Sequence, residues 1–322
     1  MANVISCMLP GVEFDRAARG LLGAGERLAA QLETQHIILA AGASDTLAQQ
    51  LVQHGDQVVV LTDQELDEYQ PESCLALLHA ACADIRADAV LLGQDAWSQE
   101  LAPRLAHRLA GCSIADAQAV DVRDGRIYIT RSVYGGKAVA VVRANVAPAV
   151  VWLRARAFEP ESARSASAAA EHRSFGATSS SAAATKIIRR HSESESDVRL
   201  EDAAIIVSGG RGLGGPEPFD DLRQLASVMK AEIAASRAAC DAGWVPPGLQ
   251  VGQTGKKVAP ELYVAIAISG ASQHMMGITD AKVVAAINTD QDAPIFRHCQ
   301  FGLVEDWKNV VGPLKKRIMD LL

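Results

Sequence analysis

The chain has 322 residues, 49% of them hydrophobic, 21% charged and only 4% aromatic, with a formal net charge of −7. Enough apolar side chains exist to offset the ordering entropy, which excludes disorder of the whole chain. The acidic balance excludes a general nucleic-acid or anionic-membrane binder, which needs a surplus of cations.

At about 100–200 residues per domain, the length predicts two domains with mainly aliphatic cores. Met1 to Pro10 lacks the basic start and apolar run of a secretion signal, and it is not an Arg/Ser-rich import leader. No stretch approaches about 18 uninterrupted apolar residues, so no membrane insertion is expected. The six cysteines, Cys7, Cys74, Cys82, Cys112, Cys240 and Cys299, form no CxxC pair, and the histidines show no HxxxH or HxH spacing. Reduced thiols in a cytoplasm are expected, without a disulfide framework or a metal site.

Along the chain, Ile37–Ala41, Gln57–Leu61 and Ala89–Leu92 read as buried strands, being short and aliphatic. Between them Asp45–Val52, Cys74–Ile85 and Ser98–Leu109 place apolar residues at helical spacing, which implies parallel βαβ units. From Ala117 the pattern becomes strands separated by turn signals: Ala117–Val122, Arg126–Val133 after Asp124-Gly125, Ala138–Arg143 and Ala149–Arg154. These predict an antiparallel extension of the first sheet. Residues 159–198 are rich in serine and close on Ser192-Glu-Ser-Glu-Ser-Asp197, which reads as a linker with one short strand at Thr185–Arg189.

The βαβ rhythm then returns, with strands at Ala203–Val207, Leu262–Ile268 and Lys282–Asn288 and helices at Phe219–Lys230 and Trp307–Leu321. The fold class is therefore α/β in two domains, 1–158 and 199–322, each with a mainly parallel sheet flanked by helices.

Four segments of the second domain carry candidate chemistry. Ser208 to Phe219 is a glycine-rich loop after a strand, and Gly210, Gly212 and Gly215 spell a formal GxGxxG with Glu232 twenty residues beyond Gly212. That is the pattern of a dinucleotide fingerprint. Arg211 within it suits phosphate oxygens. Next, Arg237 follows Ser236 among small residues and needs an anionic or aromatic partner. The Gln250–Lys256 loop presents Gln253 and Thr254 between glycines; Lys257 follows Lys256, so it is not an ATP-hydrolysing P-loop. Finally, Ser269 to His274 follows a strand, and Asn288 ends the next one. Arg211, Arg237, Thr254, His274 and Asn288 all fall at carboxyl ends of strands, where open α/β sheets bind ligands.

The run Gly209-Gly-Arg-Gly212, Ala235-Ser-Arg-Ala-Ala-Cys-Asp-Ala-Gly-Trp244, Gln250 to His274 and Ala286-Ile-Asn-Thr-Asp-Gln-Asp-Ala-Pro-Ile-Phe296 resembles the α subunit of electron-transfer flavoproteins. The resemblance is dense over residues 205–310 and looser in the first domain, where Thr130-Arg-Ser-Val-Tyr-Gly-Gly-Lys-Ala138 carries it. It implies a Rossmann-like FAD-binding second domain and a heterodimer with a β subunit. It also implies a carrier rather than a substrate-converting enzyme, with acyl-CoA dehydrogenases as common donors and a membrane quinone reductase as a common acceptor.

By position, the resemblance puts Arg211 and Ser236 near the FAD phosphates and Arg237 over the isoalloxazine. Gln253 and Thr254 fall on the ring and phosphate side, with the Thr254 hydroxyl near flavin N5. Ser269, Gly270, Ala271, Ser272, Gln273 and His274 line the cofactor, His274 facing the C2 carbonyl. Asn288 and Asp306 reach the adenosine end, with Trp307 standing where an aliphatic residue is expected. A cation and a hydrogen-bond donor beside the ring would favour uptake of the first electron. The competing reading is an NAD-dependent dehydrogenase built on Gly210, Gly212, Gly215 and Glu232.

Overall fold

The computed structural model describes residues 3–63, 70–134, 138–154, 157–160, 170–176, 188 and 200–321. The chain divides into two compact units, Met1–Arg189 and Arg190–Leu322.

The first unit runs β1 (Asn3–Met8), α1 (Arg16–Gln31), β2 (His36–Ala41), α2 (Asp45–Leu51), β3 (Gln57–Leu61), α3 (Pro71–Ile85), β4 (Ala87–Leu92) and α4 (Ala96–Arg108). It continues through β5 (Cys112–Arg123), β6 (Arg126–Val133), β7 (Ala138–Arg143), β8 (Ala149–Leu153) and β9 (Ala170–Arg173). Nine strands form one sheet in the order β7-β6-β5-β8-β4-β1-β2-β3-β9. Alternate strand residues feed two cores. Ile37 and Leu39 pack with α3 and α4 on one face, while Ile38 and Ala40 pack with α1 and α2 on the other.

β1 and α1 are not among the elements expected from sequence. α1 buries Leu21, Leu22 and Leu28 together with Gly20, Gly23 and Gly25. Gly25 serves close approach: a Cβ on it would stand 2.3 Å from both His36 Nε2 and Ser6 Oγ. Asp15 closes the helix start by accepting from the Ala18 amide at 2.9 Å.

The antiparallel extension is real for β5, β6 and β7. β8 departs from it. This strand pairs parallel with both β4 and β5, and all five of its residues are buried, as befits a central strand. Ala170–Arg173, inside the stretch read as a linker, is strand β9 and pairs with β3. The short strand expected at Thr185–Arg189 lies, Ile188 apart, outside the described residues.

The second unit contains β10 (Ile205–Gly209), α5 (Pro218–Met229), β11 (Glu232–Ala235), α6 (Arg237–Asp241) and β12 (Leu262–Ile266). After these come α7 (Ser272–Met275), β13 (Val283–Asn288), β14 (Phe301–Val304) and α8 (Trp307–Met319). The five strands are all parallel, in the order β11-β10-β12-β13-β14. The chain moves outward from β10 to β11 and then crosses back to β12, so the topological switch point lies between β10 and β12. One face packs on α5 and α8 through Phe219, Leu222, Trp307 and Val311. The other packs under irregular segments through Tyr263, Val251, Ile278 and Ile295. Among the described residues no helix is long and apolar enough to cross a membrane.

Candidate functional site

A cleft of about 650 Å³ opens at the carboxyl edge of the second sheet, above the switch point, where doubly wound sheets hold their ligands. Four loops build it.

After β10 the chain turns through Gly210 and Arg211. The Gly210 amide donates to the Ile266 carbonyl at 2.9 Å and the Gly212 amide to the Ala267 carbonyl at 3.3 Å. A Cβ on Gly210 would come within 2.1 Å of that Ala267 oxygen. These glycines thus let the loop lie flat on the end of β12, and their amides are committed to protein. Arg211 lines the cleft.

After β11, Ser236 stands at the N-cap of α6, its amide bonded to the Gly209 carbonyl at 3.0 Å. A serine there normally accepts from the first helical turn. This one does not cap its helix, and its buried Oγ has no hydrogen-bond partner. Arg237, one residue on, reaches Asp241 Oδ2 at 3.2 Å, and both side chains line the cleft.

The Gln250–Lys256 loop is pinned at both ends. The Val251 amide donates to the Ala235 carbonyl at 2.9 Å and the Gln253 amide to the Gln273 carbonyl at 2.7 Å. Gln250 Nε2 donates to Thr254 Oγ1 at 3.0 Å, which leaves the threonine proton available to an acceptor.

Beyond β12, Ala267 (φ 55) and Gly270 (φ 80) take left-handed backbone conformations and turn the chain into α7. At Gly270 a Cβ would lie 2.4 Å from the Ile295 amide nitrogen, so this glycine serves packing beneath the cleft. His274 is 7% exposed, and its Nε2 sits 3.0 Å from the Tyr263 hydroxyl. Burial pulls the imidazole pKa down to about 4, against a smaller upward pull from the Val251 backbone, so the ring is neutral near pH 7. Burial likewise raises the pKa of Tyr263. Asn288, ending β13, donates to the Ile268 carbonyl at 2.9 Å and accepts from the Asp290 amide at 3.0 Å, bracing the cleft rim.

Of the residues expected from sequence, Arg211, Ser236, Arg237, Gln253, Thr254, Ser269, Ala271, Gln273, His274 and Asn288 come together in the cleft. Gly270 and Ser272 lie within the same turn without lining it. Asp306 and Trp307 do not line it either. Asp306 caps α8 by accepting from the Lys308 amide at 3.0 Å, and Trp307 is core. Asp306 nonetheless follows Glu305, whose amide bonds the Asn288 carbonyl at 3.1 Å, so it sits on the same sheet edge. Sequence reading missed Asp241 and Gln250 as lining residues, while Asp290, which follows Asn288 at the end of its strand, falls on the expected edge. Asp241 carried a signal, its i,i+4 spacing from Arg237.

The residues fit a cofactor bearing phosphates and a planar ring: Arg211, Arg237, Ser236 and Thr254 line one cleft, the Ser236 hydroxyl is left without a hydrogen-bond partner, and the Thr254 proton is uncommitted. Comparison with known proteins points to the same chemistry. Residues 11–180 match the family model of the electron transfer flavoprotein domain, and residues 199–279 match that of the electron transfer flavoprotein FAD-binding domain. The chain is 34% identical over 304 residues to the electron transfer flavoprotein subunit alpha of Bacillus subtilis, covering 93% of this chain and 92% of that protein. It is 37% identical over 289 residues to the probable mitochondrial electron transfer flavoprotein subunit alpha of Caenorhabditis elegans, covering 89% and 85%. Protein FixB of Clostridium saccharobutylicum is 32% identical over 314 residues, covering 96% and 94%.

Proposed function

Because the chain belongs to the electron transfer flavoprotein alpha-subunit family, we propose that it carries electrons on an FAD seated in the second unit, as a heterodimer with a beta subunit, and converts no substrate of its own. FAD is the family's cofactor in this part of the chain, and when bound it supplies the electron storage.

We assign the residues as follows. Arg211 and the free Ser236 hydroxyl hold the phosphates. Arg237 sets positive charge over the isoalloxazine. Gln253 and Thr254 hold the ring and phosphate side, the threonine proton serving N5. The Ser269–His274 turn lines the cofactor, His274 donating toward the C2 carbonyl, and Asn288 with Asp306 takes the adenosine end. Cations and neutral donors around the ring favour acceptance of negative charge. Flavin-dependent dehydrogenases such as acyl-CoA dehydrogenases are the proposed donors, and a membrane quinone reductase the proposed acceptor. The scattered cysteines suit a cytoplasmic setting.

The observation that supports this reading best is the convergence of Arg211, Arg237 and an uncapping Ser236 on one switch-point cleft. A nicotinamide dehydrogenase finds no such support. The Gly210 and Gly212 amides that would cradle a pyrophosphate are bonded to the end of β12. Glu232, the would-be ribose ligand, opens β11 opposite Ile206, three residues short of the edge where Ala235 meets Gly209. Co-expression with the beta subunit should yield a yellow complex that releases FAD on denaturation. A colourless complex that binds NAD overturns the assignment.

A further inference from the structure

Thr254 stands at the tip of the Gln250–Lys256 loop, exposed, and lines the cleft. A threonine side chain has staggered positions about χ1, and each puts the oxygen in a different place. The loop backbone does not choose among them. Its bonds, the Gly255 amide to the Gly252 carbonyl at 3.2 Å and the Gln253 amide to the Gln273 carbonyl at 2.7 Å, fix the course of the chain and leave χ1 unset. Among the described residues the one group that hydrogen-bonds the Thr254 hydroxyl is the Gln250 side chain, Nε2 to Oγ1 at 3.0 Å.

Gln250 is held more firmly than the residue it reaches. Its amide donates to the Pro247 carbonyl at 3.0 Å, and its carbonyl accepts from the Lys256 amide at 2.8 Å. It also forms a parallel bridge with Ala235, which ends β11 just before Ser236. Its stem runs across Gly255, where a Cβ would stand 2.9 Å from the Gln250 Cγ and 2.4 Å from the Gln250 carbonyl oxygen. The glycine thus keeps open the space that the stem occupies. From this geometry we infer that Gln250 is a positioning residue for the cleft: it ties the Thr254 hydroxyl to the end of β11 and selects one rotamer for the oxygen offered to a bound ligand. Whichever of the two groups donates, the oxygen is held in the same place. Its freedom is given up before the ligand arrives, so binding does not bear that cost. The inference deepens the proposed function, on which it rests for the identity of the ligand.

The test uses the full chain co-purified with its beta subunit, as wild type, Gln250→Met, Thr254→Val and the double variant. Methionine keeps the stem over Gly255 and removes the bond, while valine keeps the shape of threonine without its hydroxyl. In protein labelled with ¹³C,¹⁵N-threonine, three-bond couplings from the Thr254 methyl carbon to its own nitrogen and carbonyl carbon report χ1. They should show a single rotamer in the wild type and an average over rotamers in Gln250→Met. A wild-type complex without FAD defeats the proposed function itself, and the couplings decide the inference with or without the cofactor. With FAD bound, the equilibrium constant for the first one-electron reduction should fall about fivefold in Gln250→Met, the scale of one hydrogen bond. Adding Gln250→Met to Thr254→Val should change it no further. An unaltered single rotamer in Gln250→Met, an unchanged first reduction, or full additivity of the two substitutions overturns the inference.

Discussion

Arg237 and Asp241 carry opposite charges into one cleft, and their 3.2 Å contact means that, on the proposed placement, the guanidinium would not act on the ring unopposed. Both are mostly exposed, so the pair adds little to folding. On the proposed placement a bound cofactor would exclude water from around the pair and strengthen both charges. Arg237→Ala should make the first one-electron reduction of bound FAD harder, while Asp241→Asn should make it easier. Stepwise redox titration of the two complexes checks this, and shifts of the same sign would remove the pair from the ring. Arg237 was legible in the sequence because a cation among alanines is conspicuous. His274 was legible as a position, but its neutrality was not. Its low pKa comes from burial beside Tyr263, an environment assembled from residues eleven apart.

At the scale of elements, the cleft is built from strand-to-helix turns, and α6 starts without the side-chain cap that its serine could supply. Ser236 occupies its N-cap without capping it. Ser236→Ala should therefore cost much less than the roughly 1 kcal/mol of an ordinary cap, yet weaken FAD retention about tenfold through loss of one charge-assisted hydrogen bond. Urea unfolding compared with FAD release measures the two separately. A stability loss without an effect on FAD would make Ser236 an ordinary cap. Strands with continuous aliphatic runs were readable from sequence, and Gln57–Leu61 and Ala138–Arg143 form with the expected bounds. β14 was not readable because it is an edge strand with all four residues exposed, so it shows no buried periodicity. β8 was readable as a strand, but its direction depends on which neighbours it joins, and that is settled by burial rather than by turn signals.

Across the whole molecule, the two units keep separate cores, and a lesion in one should be distinguishable from a lesion in the other. In the first unit Arg154 and Asp116 form a nearly buried two-pronged ion pair, Nε to Oδ1 at 2.9 Å and Nη2 to Oδ2 at 2.5 Å. Asp116→Ala removes both of these contacts from a nearly buried guanidinium and should cost about 3 kcal/mol. Thermal unfolding should report the loss, while the redox potential of FAD bound to the surviving folded complex stays as in the wild type. A changed potential would mean that the first unit shapes the cofactor's surroundings.

The cleft has no single owner in the chain. Its walls come from the ends of β10, β11, β12 and β13, so it comes into being only when those strands lie side by side. A polypeptide that ends before Asn288 would therefore lack one wall of the cleft. Ligand loading would therefore follow assembly of the second sheet.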